Sequence, residues 1–149
     1  MKNRELIANL NKLYALRERE MERGKKGKEK SIKGVPLLII ARNIRSMEKE
    51  YNDNYLKDYQ ELREKFYVKK NAEVTIPADK KNGVEERKEK REIEVLRPNM
   101  VEEGYEKELN ELLDFEVTVP IKMIAIDLLN KVEDSLDADA IEFMVDYEN

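Results

Sequence analysis

The chain has 149 residues, the length of one domain, and 42% of them are charged, against about 25% in an average globular protein. It contains no cysteine and no histidine. This excludes a disulfide framework, thiolate or imidazole zinc sites, and any Ser–His or Cys–His nucleophile.

A net charge of −4 hides an asymmetry. Residues 1–100 carry 26 basic and 18 acidic side chains, a balance of +8, whereas residues 101–149 carry 3 and 15, a balance of −12. The two parts are expected to attract each other within the fold; the alternative is separate faces for a basic and an acidic partner. No apolar run approaches the ~18 residues of a membrane span. Met1-Lys2-Asn3-Arg4-Glu5 leads straight into amphipathic sequence without the apolar core of a signal peptide. A cytoplasmic location with no membrane contact is expected.

In chain order, residues 3–23 read as a helix. Leu6, Leu10, Leu13 and Tyr14 form one apolar stripe, widened by Ile7 and Met21, and Asn3 is the expected cap. Residues 24–34 hold three glycines and five lysines and read as a basic loop. Pro36 then suits the first turn of a second helix, 36–67. Its predicted seam runs through Leu37, Ala41, Ile44, Tyr51, Tyr55, Leu62 and Phe66, close to a heptad repeat, with Glu48 and Asp58 at two seam positions and Met47 and Tyr59 as substitutes. Thirty-two residues at 1.5 Å each span about 48 Å. A helix this long and charged needs cover, and the first helix is its antiparallel partner. Leu10, Leu13, Leu37 and Ile44 are predicted to be buried.

Residues 72–76 and 93–95 alternate like short strands. Between them lie an Asn82-Gly83 turn signal and a dense Glu/Lys/Arg run, so 72–97 reads as a hairpin with a charged arm at 78–92 whose order the sequence leaves open. Residues 101–113 return to a helix through Tyr105, Leu109, Leu112 and Leu113. Phe115–Val119 alternates as a strand ending at Pro120, and 121–129 fits strand or short helix equally. Asp137 is the expected cap of a final short helix, with Asp139 in its first turn and Ile141, Met144 and Val145 on its apolar side. The predicted fold is α+β, mainly α: a long helical hairpin over 3–67, a small antiparallel sheet, and short C-terminal helices within one domain, 1–149.

Three sets of residues bear on function. Glu133, Asp134, Asp137, Asp139 and Glu142 could offer oxygen ligands to Mg²⁺ or Ca²⁺, but no EF-hand spacing is present and acidic residues suit a helix start. No metal, cofactor or catalytic residue is predicted. Lys25, Lys26 and Lys28, with Lys30 and Lys33, could contact phosphate, yet the loop has no aromatic side chain to stack on bases. Tyr51, Tyr55 and Tyr59 repeat at i, i+4, i+8, a stripe suited to the core or to a partner surface, including self-association through the long helix. Those three tyrosines and Lys25, Lys26 and Lys28 are the candidate partner-binding residues.

Several segments together resemble a known group. They are Asn3-Arg4-Glu5-Leu6 through Asn11-Lys12-Leu13, Ala41-Arg42-Asn43-Ile44, Glu106-Lys107-Glu108-Leu109-Asn110-Glu111-Leu112-Leu113, and Ile141-Glu142-Phe143-Met144. They look like small conserved phage and prophage proteins of unknown function from low-GC Gram-positive bacteria. The likeness runs in order over most of the chain, with the Lys-rich stretch 80–91 standing as an insertion. It implies a viral accessory or assembly protein and supplies no catalytic residues. The expected function is therefore non-enzymatic protein binding, in virion assembly or against a host factor. The alternatives are a nucleic-acid-binding accessory protein using the basic half and a metal-dependent enzyme using the C-terminal carboxylates.

Overall fold

The computed structural model describes residues 1–129, 132 and 134–148. It has the expected α+β, mainly helical class. The chain forms two compact units, Met1–Lys57 with Glu111–Asn149, and Asp58–Asn110. No helix among the described residues is long and apolar enough to cross a membrane.

In the first unit, α1 (Asn3–Lys25) packs against α2 (Val35–Glu50), which continues through one π-helical turn (Tyr51–Tyr55) into α3 (Leu56–Phe66). Leu6, Leu10, Leu13 and Leu16 of α1 are buried, following the 3-and-4 spacing of one stripe. They meet Ile39, Ile40, Ile44 and Met47 of α2 in one core cluster. Leu37 and Ala41, expected on this seam, are exposed instead. The buried residues of α2 are Pro36, Ile39, Ile40, Asn43, Ile44 and Met47: Ile44 and Met47 are where the seam predicts, and the turns before them are rotated one position back. Pro36 itself is buried, so the first turns of α2 face the core one position earlier than expected. The predicted row had accepted Glu48 at a seam position, a sign that its phase had slipped.

Asn3 is not a cap. It is the first helical residue and is buried; its side-chain amide donates to the Leu112 carbonyl at 2.9 Å, and its backbone N–H donates to the Phe115 carbonyl. Residues 115–119 form no strand of their own. They contribute only an isolated antiparallel bridge, Lys2 to Glu116. Within 121–129 a two-residue strand, β3 (Ile124–Ala125), pairs in parallel with β4 (Val145–Asp146), and a 3₁₀ turn follows at Ile126–Leu128. Asn43 fixes this segment to α2: its amide exchanges two 2.9 Å hydrogen bonds with the backbone of Lys122.

The second unit holds the C-terminal part of α3, the hairpin β1 (Tyr67–Ile76) and β2 (Arg87–Leu96), and most of α4 (Glu102–Leu113). The strands are ten residues each and pair in antiparallel register from Tyr67↔Leu96 to Ile76↔Arg87. They are thus far longer than expected, and the charged run 87–92 is strand rather than arm. Charges at consecutive positions on both faces conceal this period from a hydrophobicity reading. Pro77, which has no N–H to donate, marks the end of the ladder. The turn closes through paired Asp79 and Val84 backbone bonds, with Gly83 at φ +68°.

At the other end of the ribbon, Tyr105 of α4 meets Phe66 and Tyr67 edge-on, with ring centroids 5.8 and 5.2 Å apart. The Arg63 guanidinium lies 3.9 Å over the Tyr67 ring and pairs with Glu94. Gly104 lets α4 come close: a Cβ there would stand 3.3 Å from the Phe66 ring.

Candidate functional site: a cation-rimmed groove on the helix pair

The basic loop does more than connect. Ile32, the lone apolar residue in a run of lysines and glycines, is buried against the core. It forms one end of a half-open groove of about 410 Å³ between α1 and α2, within the size range of ligand sites. Leu13, Leu16, Ile40 and Ile44 make the apolar floor. Met21, 59% exposed, and Leu37, 38% exposed, stand at its mouth. The displaced Leu37 thus finds its place here: it borders a groove rather than filling a seam.

Arg17, Lys30 and Arg45 form the rim and are exposed. None of the three forms an ion pair with a carboxylate among the described residues, although Arg17 lies 5.0 Å from the Tyr14 ring centroid. The two acidic residues lining the groove are already engaged. Glu48 accepts a 3.0 Å hydrogen bond from the Tyr14 hydroxyl, and burial together with this carboxylate raises the tyrosine's pKa. Glu20 Oε1 accepts from Arg23 and from both the backbone and the hydroxyl of Ser31. The groove therefore presents apolar surface bordered by three cations without an ion pair, with the hydroxyl-bonded Glu48 carboxylate also in its lining.

Beside it lies an ionic clasp. Asp137, fully buried, accepts from Arg19 at 2.7 Å and Arg23 at 2.6 Å and lies 2.8 Å from the Ser31 hydroxyl, whose one proton it shares with Glu20. Burial alone would push its carboxyl up, but the bonds from Arg19, Ser31 and Arg23 together outweigh that and hold it below its ordinary value. The clasp ties α1 and the loop to α5 (Ser135–Ile141). Asp137 is not the cap of that helix, as expected from sequence. Asp134 is, accepting from the backbone N–H groups of Leu136 and Asp137 while also binding Arg23 at 2.7 Å.

The expected carboxylate cluster is thus divided among cations: Asp134 and Asp137 face arginines, and Asp139 pairs with Lys12 at 3.1 Å. Glu133 lies outside the described residues. Among the described residues no three carboxylates converge in an arrangement that could hold a metal ion.

The predicted partner residues are spread out. Lys25, the last residue of α1, and Lys26 and Lys28 just beyond it are exposed, Lys26 lying 3.9 Å from Glu22. Tyr51 is half-buried with its ring 5.3 Å from that of Tyr55, which is itself buried and offers no face to a partner. Tyr59 is half-buried and shares a hydrogen bond with Tyr105 in the second unit. Of the residues that surround the groove, sequence reasoning does not single out Arg17 and Arg45, and it places Met21 only on the first helix's apolar stripe and Lys30 only among possible phosphate contacts. The one available signal was Ile32, an apolar residue stranded in a basic loop. No family model, curated protein or solved structure matches the chain.

Proposed function

We propose that the chain is a non-enzymatic protein-binding module whose groove receives an amphipathic, acidic helix from a partner protein. The observation that carries this is the pairing of an open apolar floor with three rim cations that have no carboxylate of their own. A helix laid into such a groove buries apolar side chains at i, i+3, i+4 and i+7. Its flanking Asp or Glu side chains meet Arg17, Lys30 and Arg45. Electrostatic complementarity of this kind sets partner choice and speeds encounter more than it adds affinity. In keeping with the segments that resemble phage and prophage proteins, we place this activity in an accessory or assembly role in the cytoplasm of an infected bacterium.

The test is selection from a displayed library of helical peptides of random sequence. Enriched peptides should carry helically spaced apolar residues flanked by Asp and Glu. Enrichment should fail on Leu37→Glu and Ala41→Glu, two exposed groove positions whose change leaves the core intact. Equal enrichment on the wild type and on these variants, or selection of Lys- and Arg-rich peptides, would remove the groove as the binding site.

A further inference from the structure

The hairpin of the second unit carries a different surface. Among the described residues β1 and β2 pair only with each other, so each has an outer edge without a strand beside it. A two-stranded ribbon is marginal by itself in water, and further strands or a covering helix are what make such ribbons stable. Charged edges usually prevent association. Here the order of the charges does the opposite.

The Arg97 N–H donates to the Phe66 carbonyl at 2.8 Å, which makes that pair a hydrogen-bonded position of the ladder. In an antiparallel pair such positions alternate. Val95, Ile93, Arg91, Glu89 and Arg87 therefore turn their backbone groups toward β1. Lys88, Lys90, Glu92 and Glu94 turn theirs outward. All four side chains lie on one face and are exposed.

We propose that this edge of β2 pairs antiparallel with the same edge of a second copy, about a twofold axis at Arg91. In that register outward backbone groups face outward backbone groups, as an antiparallel ladder requires. Lys88 stands opposite the second copy's Glu94, and Lys90 opposite its Glu92. The twofold repeats both, so four opposite-charge cross-strand pairs form. Sliding the pairing by two residues sets Glu92 against Glu92 or Lys90 against Lys90, so the charges select one register. At the axis the two Arg91 side chains lie on the other face, where each guanidinium is already within 3.3 Å of Glu89 in its own chain. The outward residues of β1 include only Lys69 and Glu73 as charges, and no register gives that edge four pairs. The product is a continuous four-stranded antiparallel sheet.

Among the described residues neither Lys88 nor Lys90 forms an ion pair, whereas Glu92 pairs with Lys69 and Glu94 with Arg63, so reversing the lysines removes no ion pair and reversing the glutamates removes two. Two variants test the pairing: Lys88→Glu with Lys90→Glu, and Glu92→Lys with Glu94→Lys. Sedimentation equilibrium of the wild type should show a monomer–dimer equilibrium that weakens with salt. Each variant should be monomeric, because its edge then carries a single sign. A one-to-one mixture of the two should recover the dimer, as heterodimer. Circular dichroism of the separate variants confirms that they are folded, and Lys90→Glu alone serves should the second variant fail to fold; it should weaken dimerisation at least tenfold. A wild type that stays monomeric up to about 1 mM, or a dimer indifferent to these changes, would overturn the proposal.

Discussion

Two residues summarise what burial does to ordinary side chains here. Leu13 and Ile44 are 0% and 5% exposed and face one another's helix across the core cluster. Leu13→Ala or Ile44→Ala should each cost about 2–5 kcal/mol in urea unfolding, the sum of lost transfer energy and a residual cavity. Leu37→Ala, at the mouth of the groove, should cost well under about 1 kcal/mol, as surface changes do. A large loss at Leu37 would restore the heptad seam and remove the groove's edge.

Asp137 supplies a second test. Replacing it with Ala leaves Arg19 and Arg23 facing a hole and should cost about 3–5 kcal/mol, the usual loss when one member of a buried ion pair is removed. Its folded pKa lies below the ordinary value of 3.8. The stabilisation it confers is therefore complete above that value and is lost as pH falls from there through the folded pKa. Acid unfolding should be shallower in Asp137→Asn, which has no carboxylate left to titrate. Identical acid limbs in the wild type and variant would show that the clasp does not titrate with the fold.

At the scale of elements, the basic loop and the ribbon show how a charge run can carry structure. Residues 24–34 look like a solvated connector, yet Ser31 joins the clasp and Ile32 joins the core. All five lysines of the loop remain exposed, and Lys25, Lys26 and Lys28 belong to the basic half on which the nucleic-acid alternative rests. Each phosphate contact on duplex DNA contributes about −0.9 to the slope of log affinity against log salt. Duplex DNA, single-stranded DNA and RNA should bind weakly and without sequence preference, and binding should vanish by ~150 mM salt because a few lysines cannot hold a duplex through counterion release alone. Fluorescence anisotropy across a salt series checks this. Submicromolar, sequence-selective binding that disappears on changing the three lysines to Gln would move the function to the loop. The sequence shows only 72–76 and 93–95 of these strands for a related reason: Arg87–Glu94 contains one apolar residue, Ile93, so the period of two is carried by backbone hydrogen bonding rather than by hydrophobicity.

For the whole molecule, the acidic balance of 101–149 is answered by α1. Arg4 pairs with Asp114, Lys12 with Asp139, and Arg19 and Arg23 with Asp137 and Asp134. The two charge blocks do attract each other within the first unit, as the bland reading of the asymmetry holds. Because these carboxylates already have cations, thermal melts with EDTA, Mg²⁺ or Ca²⁺ should coincide. Stabilisation saturating at micromolar metal would instead favour the metal-dependent alternative, since any ligand binding only the native state raises its stability by mass action.

The sequence by itself determined the helix pair, the turn at Asn82-Gly83 and the helical class, because each rests on local spacing or local backbone chemistry. Leu10, Leu13 and Ile44 were legible as core for the same reason. Tertiary structure alone decided which way Pro36 turned α2, and with it that Leu37 borders a groove instead of closing a seam. It also decided that Asp134, not Asp137, caps α5, with Asp137 drawn into the clasp by arginines more than a hundred residues away. Long-range pairing of this sort leaves no period in the chain: the charges that answer Asp137 lie on a helix whose own pattern accounts for them as solvent-facing.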